Sequence, residues 1–430
     1  MPALCTTARS TTAHRAISRL VLSAALFAVP SLVAPARAAA QEADAAPTGP
    51  LATLQQAVSE TKPLFNIRLR YETTEFGDVL DRAHALTYRI RAGLQTGEAY
   101  GTSFLIDFDH IEPIVNDYNS TINGRTSYAV VADPETTELN RIQLVNKSLP
   151  DTTVTLGRQR INFDDHRFVG NVGWRQNEQT FDAVRVENSS LGPLTANFAY
   201  LTQVNRIFGE DSAAGVFDGD SYLVNLGLKT PLGKATAFAY LIDIDQGGGG
   251  ASSQTFGFRF AGAQPVGETK ISYAASYANQ GDYGSSNIDY SADFYSVDLG
   301  ASLKGFNAGI GYEVLGGDDA RGFQTPLATL HKFNGWADIF LATPANGLED
   351  LYGSLGYAAG DLGPFKAVTT KVIYHDFGSD IGSTSYGSEI DAIVTTKVKK
   401  LALLLKYADY SADEFSADKQ VLWFQIDYGF

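Results

Sequence analysis

The sequence predicts an all-β protein, a transmembrane antiparallel β-barrel of about 18 strands, on the basis of three observations. The last residues, Val421 to Phe430, alternate apolar side chains with polar or small ones and end on an aromatic ring. A period of two puts alternate side chains on opposite faces of a strand. Segments of about ten residues with the same alternation recur from residue 65 onward. No later stretch is apolar over the roughly 18 residues that a membrane-spanning helix requires.

The composition agrees with a barrel. Hydrophobic residues make up only 44%, yet the chain carries 21 Tyr, 25 Phe and 41 Gly. Such a composition is typical of barrels that have aromatic girdles and a polar interior. An array of soluble β-sandwiches is the alternative. The formal net charge of −15 argues against nucleic acid as a partner.

The N-terminal residues 1–40 have the pattern of a secretory signal peptide. A basic region precedes a short apolar stretch, Leu20 to Ala34, and small residues at Ala36 to Ala40 offer a cleavage site. Cleavage would remove four arginines, no acid and the single cysteine, Cys5, and would move the formal charge from −15 to about −19. We therefore expect secretion into the periplasm and insertion into the Gram-negative outer membrane.

The mature chain divides into a periplasmic leader, 41–63, and a barrel, 64–430. The leader has a short helical pattern over 54–62. Alternation predicts strands at 65–75, 83–95, 101–111, 138–148, 152–162, 179–189, 194–204, 220–230, 234–244, 253–263, 268–278, 292–303, 306–316, 349–359, 365–376, 387–398, 401–411 and 420–430. Tight turns alternate with longer connections, which places the short turns on the periplasmic rim and the long loops outside.

Parity decides how the stretch 333–341 is read, since it could be drawn as a further strand. Counting it would give an odd number, whereas bacterial single-chain barrels have even numbers of strands. We therefore assign 316–347 to one long outer loop. Because this loop is unusually apolar, we expect it to pack on itself, over the mouth or into the lumen, with a lid formed by Phe333, Trp336, Asp338 and Phe340. At 18 strands an aqueous channel is expected unless loops block it.

Basic residues between 65 and 210 are almost all arginine. Arg68, Arg70, Arg89 and Arg91 lie on the polar phase of two adjacent strands, so they should cluster on one wall of the lumen. Guanidinium groups bind carboxylates bidentately and stay charged at any relevant pH. Such a cluster would favour anions in the pore.

A network of salt bridges is the alternative for these arginines. Arg68, Arg70 and Arg89 could pair with the lumen acids Glu72, Asp107 and Asp109 on neighbouring strands. Arg158 and Arg160 continue the lipid-facing phase of Leu156, which would place them above the membrane edge or beyond a bulge.

Several segments resemble the alginate-export family of outer-membrane porins. They are Arg68-Leu69-Arg70-Tyr71-Glu72, residues 133–140, residues 157–162, residues 170–177 with 179–183, and residues 325–330 with 333–338. The resemblance implies an 18-stranded barrel whose arginine-rich lumen passes a polyanionic polyuronate. It carries over the lumen arginines of the first two strands, together with Arg158 and Arg175. The full set of candidate selectivity residues is Arg68, Arg70, Arg89, Arg91, Arg141, Arg158, Arg175 and Arg185.

The expected function is a passive porin whose arginine-lined lumen passes anionic saccharides or small carboxylates. A non-selective diffusion porin with neutralised arginines is the first alternative, and a structural barrel plugged by the 316–347 loop is the second. Unpaired arginines would favour the anion-selective porin. One-to-one pairing of arginines with acids would favour the non-selective porin, and a filled lumen would favour the plugged barrel.

No catalytic, metal or cofactor site is predicted, because the histidines are scattered and no Gly-x-Ser-x-Gly motif occurs. The expected partners are outer-membrane lipid, including lipopolysaccharide, an anionic solute, and the barrel-assembly machinery through Phe430.

Overall fold

The computed structural model describes residues 49–78, 80–246 and 250–429. The predicted signal peptide, residues 41–48 of the predicted leader and Phe430 lie outside these ranges, so the predictions about them stay predictions. None of the described helices has the length and apolarity to cross a bilayer.

Among the described residues, one helix precedes the barrel. Helix α1, Pro50–Ser59, has proline at its start, where the fixed φ of proline and its missing N–H do no harm. The predicted helix, 54–62, was placed too late along the chain. The chain is already extended at Lys62, where the first strand begins.

Eighteen strands follow, as predicted. They are β1 (Lys62–Phe76), β2 (Ala83–Gln95), β3 (Thr102–Asp117), β4 (Thr136–Asn146), β5 (Thr152–Gln159), β6 (Thr180–Leu191), β7 (Leu194–Asn205), β8 (Val216–Thr230), β9 (Gly233–Ile242), β10 (Ser253–Val266), β11 (Thr269–Gly281), β12 (Ser291–Leu303), β13 (Phe306–Leu315), β14 (Leu348–Leu362), β15 (Phe365–Gly378), β16 (Ser385–Val398), β17 (Leu401–Ala412) and β18 (Lys419–Gly429). Each strand pairs antiparallel with the next, and β1 pairs with β18, so the sheet closes on itself. The predicted fold class is confirmed.

Strand β3 departs most from its predicted bounds, 101–111. It continues to Asp117 because a bulge at Ile114 shifts its register against β2, next to Pro113. A proline lacks the N–H that a regular strand pair needs, and a bulge accommodates that loss. The strand therefore continues six residues beyond its predicted end.

The strands alternate between an apolar outer face and a polar inner face. On β10, Phe256 and Phe258 face outward with about half of their surface exposed (52% and 49%), whereas Thr255, on the inward phase just before them, is buried. This outer face matches the hydrocarbon of a bilayer, and closure of the sheet leaves no unpaired strand edge within it.

Three outer loops fold into the barrel, and we call them lumen loop 1 (118–135), lumen loop 2 (160–179) and lumen loop 3 (316–347). Lumen loop 3 has the predicted bounds and contains no strand. Lumen loops 2 and 3 join each other through a parallel bridge between Val169 and Leu327, both fully buried. Joined in this way, lumen loops 2 and 3 together occupy the outer part of the lumen.

Candidate functional site

The arginines of the first two strands lie together on one inner wall. Arg68 and Arg89 are direct partners in the β1–β2 register, and Arg70 and Arg91 flank them. Arg70 and Arg89 are buried, with 0% and 4% of their surface exposed. The structure thus brings the four predicted side chains together but does not leave them open to solvent.

These arginines hold the backbone of lumen loop 2. Nη1 of Arg68 donates to the carbonyl oxygens of residues 173–175 at 3.1–3.3 Å. Nη1 of Arg89 donates to the carbonyl of Gln176 at 3.1 Å. Arg70 also donates to Trp174 O, and its guanidinium lies 4.2 Å from the centre of the Trp174 ring. Many of the N–H donors of these three arginines are therefore bound to the backbone of lumen loop 2.

The three predicted lumen acids face inward but pair differently from expectation. Asp109 binds Arg91 at 2.7 Å and Asp107 binds Arg141 at 3.0 Å, since each pair is adjacent in the strand registers. Glu72 binds Arg175 at 2.9 Å, a partner on a loop rather than on a strand.

The alternative of a salt-bridge network holds with other partners than Arg68, Arg70 and Arg89 pairing with Glu72, Asp107 and Asp109. Arg68 instead binds Asp427 of β18 at 2.9 Å, because closure of the barrel brings that strand beside β1.

Glu178, at the end of lumen loop 2, was missed from sequence. Its carboxylate binds Arg91 at 2.8 Å and Arg160 at 2.6 Å, and it accepts a hydrogen bond from Asn140. Burial alone would raise the pKa of Glu178, but the two guanidinium groups outweigh it and lower the pKa to about 2. We call the inner wall formed by Arg68, Arg70, Arg89 and Arg91 the arginine wall. Lumen loop 2 is thus held at both ends of this wall.

Two of the predicted selectivity arginines have other surroundings. Arg185 faces inward, donates to Glu187 and Asn197, and lies 5.5 Å from the ring of Phe163. Arg158 is not in the lumen cluster. It keeps the outward phase of Leu156 at the outer end of β5, where Asp182 binds it at 2.7 Å.

The predicted lid residues of lumen loop 3 lie inside the barrel. Asp338 accepts from His331 at 2.9 Å and pairs with Arg175 at 3.5 Å, which links the two lumen loops. Burial acts to raise the pKa of Asp338, but His331 and Arg175 hold it below its usual range. Phe333 lies 4.8 Å from the guanidinium of Arg167.

Aromatic side chains fill much of the outer half of the lumen. Phe340 of lumen loop 3 packs on Phe377 and Phe415 with ring centres 4.7 and 5.6 Å apart. Phe168 of lumen loop 2 packs on Phe238 and Phe294 at 4.8 and 5.2 Å. This apolar layer narrows the route from the outer mouth.

Below the two loops lies a cavity of about 910 Å³, which we call the vestibule. Its walls are the inner faces of β9–β16 and reach the periplasmic turns, while residues 163–168 and 332–336 form its roof. Hydroxyl and amide side chains supply much of the lining: Ser272, Ser276, Ser296, Ser302, Asn307, Ser354, Thr369, Thr370 and Thr395.

Most charges of the vestibule are neutralised. Arg167 binds Glu313 at 2.9 Å, and Arg259 binds Asp165 at 3.0 Å. Lys371 differs, since it faces the cavity with no ion pair or hydrogen bond to any described residue. Lys371 was not among the predicted selectivity residues, which were all arginines. Its place on the inward phase of β15 is the sequence signal that could have identified it.

Within the described ranges, no group of three or more His, Cys, Asp or Glu side chains is arranged to hold a metal ion.

The chain matches no known protein-family profile, and no curated protein matches it. The resemblance to the alginate-export family therefore gains no support from these comparisons.

Solved structures do match it in fold. OccK9 (OpdG) of Pseudomonas aeruginosa has a TM-score of 0.70 at 14% identity, covering 87% of this chain and 99% of that one. A BenF-like porin from Pseudomonas fluorescens Pf-5 has a TM-score of 0.69 at 13% identity, with coverage of 87% and 99%. OpdK of Pseudomonas aeruginosa, crystallised with vanillate, has a TM-score of 0.67 at 12% identity, with coverage of 87% and 99%.

Those proteins are outer-membrane porins, which are channels rather than enzymes. At this level of identity the likeness shows the fold alone. The described chain is thus a closed 18-stranded barrel with the fold of Gram-negative outer-membrane porins, and this fold agrees with the location predicted from the sequence.

Proposed function

We propose that this protein is a passive outer-membrane channel for small hydrophilic solutes, with a preference for those that carry a carboxylate. The vestibule is the observation that carries the proposal. It is a hydroxyl-lined cavity of about 910 Å³ inside a closed barrel, large enough for a small solute.

The preference for carboxylates is assigned to lysine rather than to the arginine wall. Lys371 offers a cation that makes no ion pair or hydrogen bond to a described residue, with Asp391 and Asp298 as the carboxylates that attract it. Lys332 at the roof donates to the backbone carbonyl of Asp165, at 2.7 Å. The arginines of β1 and β2 are engaged by lumen loop 2 and by acids. A weak, exposed cation attracts an anion yet releases it, as conduction requires.

Small carboxylates are favoured over polymers. The neighbouring porin OpdK was crystallised with vanillate, a small carboxylate. A polyuronate chain would need a continuous wide bore, and the aromatic layer of Phe340 and Phe168 occupies the outer half. Anionic saccharides of one or a few units remain within the proposed class, since hydroxyl groups line the vestibule.

We assign the outer apolar band to contact with outer-membrane lipid, including lipopolysaccharide, and Phe430 to recognition by the barrel-assembly machinery. The N-terminal residues 1–40 are assigned to a cleaved signal peptide. These assignments rest on the sequence pattern.

The test is the reversal potential of single channels in planar bilayers under a salt gradient, for wild type and Lys371→Glu. We expect a modest anion preference in wild type that moves toward cations in the variant, because the charge change is two units at a lumen site. Lys400→Glu, with the same charge change in the exposed turn between β16 and β17, serves as the control and should leave the potential unchanged. An absence of conductance in wild type, with the barrel folded, would favour the plugged alternative instead.

A further inference from the structure

All three tryptophans of the chain surround one lysine. Nζ of Lys406, on β17, lies 3.8 Å from the ring centre of Trp336, 4.1 Å from that of Trp174 and 5.3 Å from that of Trp423. Lys406 is 4% exposed, although it follows three leucines in sequence. An ammonium over several ring faces gains cation–π attraction, most of all where water is excluded. We call these four residues the lysine cage.

The cage joins three separate parts of the molecule. Trp174 belongs to lumen loop 2 and Trp336 to lumen loop 3, whereas Lys406 and Trp423 belong to the wall strands β17 and β18. Neither loop can leave the wall without removing a ring from the ammonium. The cage is therefore one contact that both loops share, beside the separate contacts that hold each loop to the wall.

His331 of lumen loop 3 completes the cage. Its ring stacks on Trp174 with centres 4.4 Å apart and planes 9° from parallel. Nδ1 contacts Asp338 Oδ1 at 2.9 Å, while Nε2 contacts Nζ of Lys406. These partners fix the tautomer, because Nδ1–H donates to the carboxylate and the lone pair of Nε2 accepts from the ammonium. A neutral imidazole thus bridges Asp338 and Lys406.

Lumen loop 3 is held at the same place by two acids of β16. The backbone N–H of Trp336 donates to Asp391 at 3.2 Å, and that of Ala337 donates to Glu389 at 2.7 Å. Gly335 lies so close that a Cβ there would meet Glu389 Oε2 at 2.3 Å. Lys406 supplies positive charge on the strand beside these carboxylates, so its loss would leave them less compensated.

We propose that Lys406 is a latch that holds lumen loops 2 and 3 over the vestibule, and that its release opens the route from the outer mouth. This gating role rests on the proposed channel function. The roof of the vestibule is built from residues of the same two loops, so undocking them removes the roof.

The experiment combines tryptophan fluorescence with single-channel recording on full-length protein in lipid. Because every tryptophan belongs to the cage, emission and acrylamide quenching report on the cage alone. Lys406→Glu puts a negative charge against the ring faces and the neighbouring acids, so we expect red-shifted, more quenchable emission. We also expect an open probability at least about threefold higher than in wild type.

Lys406→Arg keeps a cation in the cage and should lie between wild type and Lys406→Glu. Lys400→Glu, in the exposed turn before β17, makes the same charge change outside the cage and should match wild type. Heat modifiability on gels shows that each barrel is folded. Trp336→Ala changes only a loop residue, and we expect it also to raise the open probability.

The proposal is overturned if Lys406→Glu and Trp336→Ala keep the open probability of wild type. If both variants and wild type conduct equally, the channel function stands and the latch fails. If emission shifts in Lys406→Glu while no protein conducts, the loops undock without a pore to open, and both the latch and the channel function fail.

Discussion

Three arginines of β1 and β2 bind backbone carbonyl groups of lumen loop 2. Nη1 of Arg68 alone donates to three successive carbonyl oxygens, Arg70 shares that of Trp174, and Arg89 donates to that of Gln176. A loop that enters a barrel has no strand partner for its backbone, and unsatisfied buried carbonyls are costly. A guanidinium group has five N–H donors in a fixed planar arrangement, so one arginine can bind several neighbouring carbonyl oxygens. At these residues arginine supports the architecture of the lumen before it supports any selectivity.

His331 gives the closed state a dependence on pH. Burial lowers the pKa of His331 to about 3; Asp338 opposes this shift, whereas Lys406 and Arg175 add to it. In an undocked loop the imidazole would return to a pKa of about 6.5. Between these two values the undocked state binds a proton that the docked state does not, so acidification favours undocking.

We therefore expect open probability to rise as the pH falls below about 6.5. Moving from pH 7.5 to pH 5 should shift the docking equilibrium by up to about thirtyfold, since the change spans about 1.5 units below the free pKa. Single-channel recordings at stepped pH measure this. His331→Phe, which keeps the stacking on Trp174 but cannot titrate, should lose the response. An equal response in both proteins would assign the titration to another group.

At the scale of elements, one buried ion pair is among the contacts that dock lumen loop 2 on the wall. Glu72 on β1 is 1% exposed and binds Arg175 at 2.9 Å. Removing one partner of such a pair leaves a buried charge uncompensated, at a cost of about 3–5 kcal/mol. Removing both partners costs less, because no orphaned charge remains.

We expect Arg175→Leu to release lumen loop 2 from the wall. Limited trypsin digestion should then cut at Arg160 or Arg167, which the docked loop protects. The double variant Glu72→Leu/Arg175→Leu should regain part of the protection, as a double-mutant cycle can show. Additive effects in the cycle, or full protection in Arg175→Leu, would contradict a stabilising role for this pair.

The elements themselves were largely predictable from sequence. Two-residue alternation fixed the 18 strands, and parity fixed lumen loop 3 as a loop at its observed bounds, 316–347. The apolar residues of that loop predicted that it packs on itself, over the mouth or into the lumen, without deciding between the three. The sequence could not show that lumen loop 2 enters as well, because its signals are arginines on distant strands that donate to its backbone.

At the scale of the whole molecule, the missed contacts share one cause. Arg68 meets Asp427, and Lys406 meets Trp174 and Trp336, only because the barrel closes and the loops fold inward. Neither the periodicity of a strand nor the spacing of residues along the chain identifies contacts of this kind. The sequence therefore predicts which residues face the lumen far better than it predicts which of them meet there.

The molecule is asymmetric along its axis, and this asymmetry should appear in function. The vestibule reaches the short turns, with Ser302 and Asn307 on either side of the turn at 304–305, while the aromatic layer lies toward the long loops. A solute from the periplasmic side meets Lys371 at once, whereas one from outside first meets the docked loops.

We therefore expect a small carboxylate to block ionic current more strongly from the periplasmic side. Vanillate, the ligand crystallised with OpdK, is a suitable probe and can be added to one chamber at a time after insertion from a defined side. The ratio of blocking concentrations between the two sides should exceed about tenfold in wild type, which corresponds to about 1.4 kcal/mol. The ratio should fall toward one in Lys406→Glu if the loops are what shields the vestibule. Equal block from both sides of the wild-type channel would mean that the loops are no barrier, and that the solute reaches Lys371 as readily from outside.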